Sequence, residues 1–536
     1  MNNIAIKSIN TRANGLFSQD DGAERKPLVW SIAGSDSGGG AGLQADLRAF
    51  AALGVHGCTA VAAITAQNSV ALTRVEPVSP ELLDAQLAAL AADMPPAAIK
   101  TGLLGSVDNL RVVCRWVDRL RESAAPQGHR VALVVDPVLG SSTGAVFADA
   151  ALVQAYLQEM LPRATLVTPN RAEARRLGVS GGAESDGTPI IPTWLAAGAA
   201  LSITGGDDDG ALACDWVYTP QARGWLSLPR VDTRHAHGTG CTFAASAAAA
   251  LAHGYCAADA LVLAKMATTH ALRHGYAAGR GAGPVQALAD FAQHLSNLPT
   301  LTLAGTTAPP SAQTAAPFAP STALGVYAVV DSADWVARVL AAGIRTVQLR
   351  IKDPTQPTLK AHMRASVALA AQTPGAQLFI NDHWQLALEC GADGVHLGQE
   401  DLDHVDLEAL RNAGVRLGLS THSYWEVARA WALRPSYIAC GPVYATQSKD
   451  MPWIPQGLNN LRYWTGLLPV PVVGIAGIGV HQMAEVAAQG VAGAAVITAI
   501  TAAADPEAAC AELAAAFERG RKQLREANPA RALPTL

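Results

Sequence analysis

Two rhythms of apolar and polar positions run along this chain of 536 residues. From Pro27 onward, short apolar runs alternate with Ala/Leu-rich stretches of helical period. The runs "PLVWSIAGSD", "CTAVAAIT", "AAIKTGLL", "VALVVDPVL", "ATLVTPN" and "ALSITGG" read as strands, and "AGLQADLRAFAALG" and "PELLDAQLAALAAD" as helices. Strands buried on both faces lose the polar alternation of a half-exposed sheet, so this half predicts an α/β layered fold with a mostly parallel sheet. After about residue 324 the rhythm tightens. "GVYAVVD", "TVQLR", "QLFIND", "DGVHLG", "RLGLST", "YIACGPV", "PVVGIAGI" and "GAAVITAI" predict eight strands separated by helices. Eight β/α units in about 200 residues fit a compact (β/α)8 TIM barrel, whose active site is built at the C-terminal strand ends. Arg350, Asn381, Asp382, Gln399 to Asp401, and Ser420 fall at such ends.

Between the halves, residues 296–323 carry no charge and are rich in Pro, Ala, Thr and Ser. This composition reads as a tether, the alternative being an ordered loop. The expected division is a tail at 1–26, a first domain at 27–295, the linker, a barrel at 324–524 and a C-terminal tail at 525–536. With 15% charged residues and a net charge of −5, the chain lacks the basic field of a nucleic-acid binder. No apolar run is long enough to span a bilayer, and residues 1–26 lack the apolar core of a signal peptide. Eight cysteines without a CxxC pair argue against a disulfide or zinc framework, and the expected location is cytoplasmic.

In the first half, "AGSDSGGGAGLQADL" follows a strand and opens a helix. Gly40 to Ala45 matches a loose dinucleotide fingerprint, but no acid stands between Asp46 and Glu76 to hold a ribose. Three successive glycines point instead to close approach by a ligand. "HAHGTGCT" puts the N–H groups of Gly238, Thr239 and Gly240 at a helix N-terminus, where donors and dipole favour an anion. It lacks the Gly-Lys-Ser/Thr ending of a Walker A loop.

In the second half, Gln348 to Lys352 ("QLRIK") offer two cations and an amide to a diphosphate. Asp382 and Asp401 offer neighbouring carboxylates suited to Mg2+. "GPVYATQSKD" adds hydroxyls and Lys449, and the turns after the last two strands offer backbone donors at this fold's usual phosphate site. Two phosphate sites and a cation imply two phosphorylated substrates.

Five motifs in order, "AGSDSGGGAGLQAD", "ITAQNS", "DPVLGSSTG", "TPNRAEA" and "HGTGCT", resemble the hydroxymethylpyrimidine/phosphomethylpyrimidine kinases of the ribokinase superfamily. The resemblance implies a ribokinase-like fold and two ATP-dependent phosphorylations of a thiamine pyrimidine. It also implies that Gln67, Gly34 and Asp46 bind the pyrimidine and that Gly238, Thr239 and Gly240 hold the transferring phosphoryl group. Asp136, Asn170 and Glu173 would then surround Mg-ATP. Cys241 stands where sugar kinases of the superfamily carry a catalytic Asp, and a helix N-terminus is expected to lower its thiol pKa enough for a base. Thr204 replaces the Lys usual after the sixth strand.

From about Gly325 to Leu524, "QLRIK", "FIND", "GVHLGQED", "LGLSTHS", "GPVYATQSK", "PQGL" and "VGIAGI" resemble thiamine phosphate synthase. This implies that Gln348, Leu349, Arg350, Ile351, Lys352, Asn381, Ser420 and Lys449 bind a pyrimidine diphosphate, with Asp382 and Asp401 on Mg2+. Thr446, Gln447, Ser448, Gly477, Ile497 and Thr498 would bind a thiazole phosphate. Ser448, Ala476 and Thr498 depart from the usual Thr, Gly and Ser, and Ala476 is expected to crowd the phosphate. The product implied for the first half is the substrate implied for the second. The partners expected are small molecules, neither nucleic acid nor membrane, with a homo-oligomer open. For the first half, a pyrimidine-binding regulatory module and a pyridoxal-type kinase also stay open.

Overall fold

Six parallel strands form the centre of the first half in this computed structural model, which describes residues 25–140, 148–179, 191–206, 208–303, 315–321, 323–445, 452–523 and 527–536. In chain order the strands are β1 (Leu28–Asp36), β2 (His56–Gln67), β3 (Leu72–Pro77), β4 (Ala98–Thr101), β5 (Ala132–Val135), β6 (Leu166–Val167), β7 (Ala200–Ile203), β8 (Leu212–Tyr218), β9 (Arg223–Pro229) and β10 (Thr300–Leu303). They lie in the order β10-β9-β8-β7-β6-β5-β4-β1-β2-β3, with β3 and β8 to β10 antiparallel at the two edges. The direction of winding reverses between β1 and β4, and ligands of such sheets bind beyond the carboxyl ends at that point. The Ala-rich helix Thr239–Ala252 packs on β1, β4 and β5 there. Its alanines from Ala244 to Ala250 are fully buried, which lets the helix axis approach the sheet closely.

The second half closes as predicted. β11 (Gly325–Val330), β12 (Thr346–Leu349), β13 (Gln377–Asn381), β14 (Gly394–Leu397), β15 (Arg416–Thr421), β16 (Tyr437–Cys440), β17 (Val472–Ile475) and β18 (Gly493–Val496) form one closed barrel of parallel pairs, β18 pairing with β11. Tyr327, Phe379 and Tyr437 fill the interior. Gly418 makes room for them: a Cβ there would lie 2.1 Å from the Tyr437 ring.

The expected tether is corrected at both ends. Thr300–Leu303 are β10, paired with β9, because Leu298 and Leu301 bury against the first-half core. Residues 315–321 lie on the barrel: Phe318 is buried under the Arg411 guanidinium, and its N–H donates to Arg434 O. The C-terminal segment 527–536 also packs. Ala532 N–H donates to the Tyr424 hydroxyl, the Tyr255 hydroxyl donates to Ala532 O, and the Tyr463 hydroxyl donates to Ala292 O. Tyr255, Tyr424, Tyr463 and Trp464 thus join the halves in one buried aromatic cluster. Among the described residues, no helix is long and apolar enough to cross a membrane.

Candidate active sites

Asp36, Gln67, Asp136, Asn170 and Thr204 all fall at the carboxyl ends of first-half strands. Asp36 organises the glycine run. Its carboxylate accepts from the N–H groups of Gly38, Gly40 and Ala41 at 2.8–2.9 Å and faces His237 Nε2 at 3.0 Å. Burial opposes its charge, but His237 and the backbone donors outweigh that and hold the acid at about 2. His237 Nε2 also lies 3.1 Å from the Gln67 amide. The run to Gly42 therefore meets both "HGTGCT" and Gln67. Gly238 caps its helix at φ 84°, and a Cβ there would sit 2.1 Å from Gly40 O. Only glycine permits that approach. Gly240 is exposed and Thr239 half-buried at the helix start, where the first N–H groups have no intrahelical partner.

Two expectations fail here. Asp46 does not line a pocket. It is fully buried, its carboxylate taking Lys100 Nζ at 2.9 and 3.0 Å and the Ser31 hydroxyl at 2.5 Å. Its place on the sheet-facing side of helix Gly42–Ala52 gives it to the core. Nor is the Cys241 thiol lowered. Burial pushes it up to about 12; Lys100 opposes this, while Asp46 and Asp136 add to it, and its sulfur is also held by Gly42 N–H. One helix end does not offset the burial and the two carboxylates.

Asn170 and Glu173 cap each other's backbone: Asn170 Oδ1 accepts from Glu173 N–H, and Glu173 Oε2 from Asn170 N–H, both at 2.9 Å. Asp136 lies 3.6 Å from Lys100 Nζ, and burial raises it to about 6 against that pull. Gly34 is buried against Leu103. At the turn after β7, Thr204 N–H donates to Pro169 O and Gly205 N–H to Asp215, which pairs with buried Lys265 at 2.8 Å. Backbone and Asp215 hold this turn without a cation at position 204.

At the barrel's C-terminal face the predicted residues converge. Asp382 follows β13 at φ 63°, a left-handed conformation that Asp tolerates better than bulkier residues. Burial and the neighbouring Asp401 push it up to about 6, with Arg350 opposing. Asp401 accepts from Gly398 N–H at 2.7 Å. Two carboxylates that repel each other beside an arginine are a donor set that a hard cation would relieve. Asn381 is buried at the end of β13, and Arg350 and exposed Lys352 flank buried Ile351 beyond Leu349 and the end of β12. Gln348 donates to the Tyr327 hydroxyl at 3.3 Å, which meets Tyr437 at 2.8 Å. Tyr437 meets His396 Nδ1 at 2.7 Å, and His396 Nε2 meets the Ser420 hydroxyl at 2.9 Å. Burial, helped by Arg350, pushes His396 down to about 4, so it is neutral near pH 7. Gly477 at φ 69° and the Ile497-Thr498 turn stand at the ends of β17 and β18. Ala476 has φ 77°: the usual glycine is explained by backbone conformation rather than by crowding. Thr446, Gln447, Ser448 and Lys449 lie outside the described residues.

Sequence reasoning missed Lys100, His237 and His396. The "AIK", "AHG" and "GVHLG" runs that hold them gave no signal of partners far along the chain.

A family model described as phosphomethylpyrimidine kinase matches residues 36–286, and one described as thiamine monophosphate synthase matches residues 326–500. A probable chloroplastic thiamine biosynthetic bifunctional enzyme of Oryza sativa subsp. japonica is 32% identical over 89% of this chain and 86% of its own length. A thiamine-phosphate synthase of Serratia proteamaculans is 53% identical over 35% of this chain and 90% of its own. A solved pyridoxal kinase of Staphylococcus aureus, with AMP-PCP and pyridoxal, is 30% identical with a TM-score of 0.41, covering 48% of this chain and 93% of that one.

Proposed function

The chain belongs to the bifunctional thiamine-biosynthetic enzymes, a phosphomethylpyrimidine kinase joined to a thiamine-phosphate synthase, and from that premise we propose the following chemistry. The first half phosphorylates 4-amino-5-hydroxymethyl-2-methylpyrimidine twice at the expense of ATP. The barrel then joins the resulting diphosphate to thiazole phosphate, releasing diphosphate. What supports this is that the described motif residues of each family stand near the carboxyl ends of the strands of its own parallel β system.

In the kinase half, Gln67 reads the pyrimidine ring while the Gly238 to Gly240 turn cradles the transferring phosphoryl group. Asn170 and Glu173 already satisfy each other's backbone, so they order the wall beside Mg-ATP rather than bind the ion directly. Cys241 acts as a neutral thiol. With the thiol pushed up to about 12, the thiolate is a minor form at pH 7. Phosphoryl transfer is mostly positioning and charge stabilisation, so the turn's donors suffice without a strong base.

In the barrel, Gln348, Asn381 and Ser420 orient the pyrimidine diphosphate, and Arg350, Lys352 and Lys449 draw charge from the departing diphosphate. Asp382 and Asp401 would hold Mg2+, which supplies further charge neutralisation there. As the C–O bond breaks, the aminopyrimidine ring carries the methylene cation, and the thiazole nitrogen closes the new bond. Gly477, Ile497 and Thr498, with Thr446, Gln447 and Ser448, hold the thiazole phosphate. The test is the full chain with Mg2+, ATP, the hydroxymethylpyrimidine and thiazole phosphate. Thiamine phosphate should form only with ATP. Failure to phosphorylate the pyrimidine, while supplied pyrimidine diphosphate is still condensed, would overturn the kinase assignment.

A further inference from the structure

Asp259 lies in the first turn of the kinase-half helix Ala257–Arg273, and no step above uses it. It is 2% exposed. Its Oδ1 accepts a 2.8 Å hydrogen bond from the backbone N–H of Trp425, in the barrel. Trp425 is the second residue of helix Tyr424–Leu433, whose own N-cap residue, Ser423, makes no side-chain capping bond. An N-cap side chain ordinarily accepts from an N–H in this position. The kinase half thus supplies a cap that the barrel helix lacks.

That turn supports the synthase site. Ser420 lies near the end of β15, and His422 follows two residues later. His422 donates its backbone N–H to Glu426 at 2.6 Å and its Nδ1–H to the same oxygen at 2.7 Å. Glu426 is the third residue of the capped helix and is 1% exposed. With its edge so fixed, the His422 ring stacks on Trp453 at 3.7 Å and 9°. Trp453 precedes Gln456, whose amide is bonded to Gly441 O beyond β16. One ring stack therefore ties the loops after β15 and β16, and it is anchored in the turn that Asp259 caps. Loops at this face carry the chemistry of the fold.

We propose that Asp259 is a positioning residue for the synthase site: from the kinase half it fixes the first turn of helix Tyr424–Leu433 and, through Glu426 and His422, sets Trp453 beside the end of β15. The affinity of the synthase half for its pyrimidine substrate is then set in part by the kinase half docked on it. The inference rests on the synthase reading above.

The experiment uses the full chain, with supplied pyrimidine diphosphate and thiazole phosphate. Asp259→Ala should raise the KM for pyrimidine diphosphate about tenfold while leaving kcat within about twofold. Asp259→Asn, which keeps an acceptor oxygen, should restore KM to near the wild-type value. Kinase turnover should be unchanged in both. Adding Asp259→Ala to His422→Ala should cost little beyond His422→Ala alone, because one acts through the other. Wild-type KM in Asp259→Ala, equal damage in Asp259→Asn, or simple additivity with His422→Ala would each overturn the proposal. If Asp259→Ala does not fold, hydrogen exchange at the Trp425 amide of the wild-type chain decides: protection is expected, and free exchange overturns it. No condensation by the wild-type chain would instead overturn the synthase reading itself.

Discussion

His237 and Asp36, 201 positions apart, meet at 3.0 Å between Nε2 and Oδ2, so that the anion turn and the glycine run share one hydrogen bond. The same Nε2 lies 3.1 Å from the Gln67 amide. The nearer Gln67 atom in the structure is Nε2, but a ring N–H that donates to Asp36 cannot accept from an amide N–H, so we assign the amide in the flipped sense, with its oxygen toward His237. This leaves the Gln67 NH2 group for a pyrimidine nitrogen. His237→Ala should free Gln67 to rotate and raise the KM for the hydroxymethylpyrimidine about tenfold, with a smaller effect on ATP. Steady-state kinetics with each substrate varied checks this.

Asp36 also carries an acid-stability signature. Its folded pKa is depressed to about 2 from an ordinary value of 3.8, so its contribution is complete above 3.8 and is lost as pH falls toward 2. In His237→Ala the folded pKa moves back toward 3.8, so the loss still begins near 3.8 but is smaller and is complete at a higher pH, as read by thermal melts between pH 5 and pH 2.5.

Cys241 should behave as a neutral thiol. Its alkylation by iodoacetamide should be slow at pH 7–8 and still rise above pH 9, since the thiol is pushed up to about 12. Cys241→Ser should keep the first phosphorylation within about tenfold of wild type. A loss of about a thousandfold would restore the role of base.

Asp382→Asn should separate metal binding from stability. Removing one of two repelling carboxylates should raise the melting temperature of the metal-free protein, while Mg2+-dependent condensation is lost. In the wild type Asp382 sits at about 6, so protons compete with the cation below that pH. The Mg2+ concentration needed for half-maximal rate should rise as pH falls from 7 to 5.

Ala476→Gly should stabilise the protein by roughly 0.5–1 kcal/mol. The left-handed φ of 77° costs alanine more than the added chain entropy costs glycine. Chemical denaturation checks the sign.

The barrel was legible in the sequence because every strand is buried, short and followed by a helix, so the period itself announces each unit. The parallel centre of the kinase sheet was legible for the same reason. The antiparallel edge strands were not: "LTRVEP" in β3 is half polar, and β10 lies within a stretch whose uncharged composition reads as a tether. The motif residues were found by their types and order, and most stand at strand ends as expected. Asp46 was misplaced because a helix face toward the core and one toward a pocket are indistinguishable when Lys100 lies 54 positions away.

The sequence by itself determined the two fold classes, the order of the halves and the groups able to handle phosphate, because local periodicity and residue type carry that information. Only the tertiary structure decided which charges are paired and which are left for ligands. Lys100 neutralises Asp46, His237 holds Asp36, His396 supports Ser420 and Asp259 caps a helix in the other half. Those outcomes depend on burial and on distances between residues far apart in the chain, because a charge or polar group out of water is costly unless a partner meets it there.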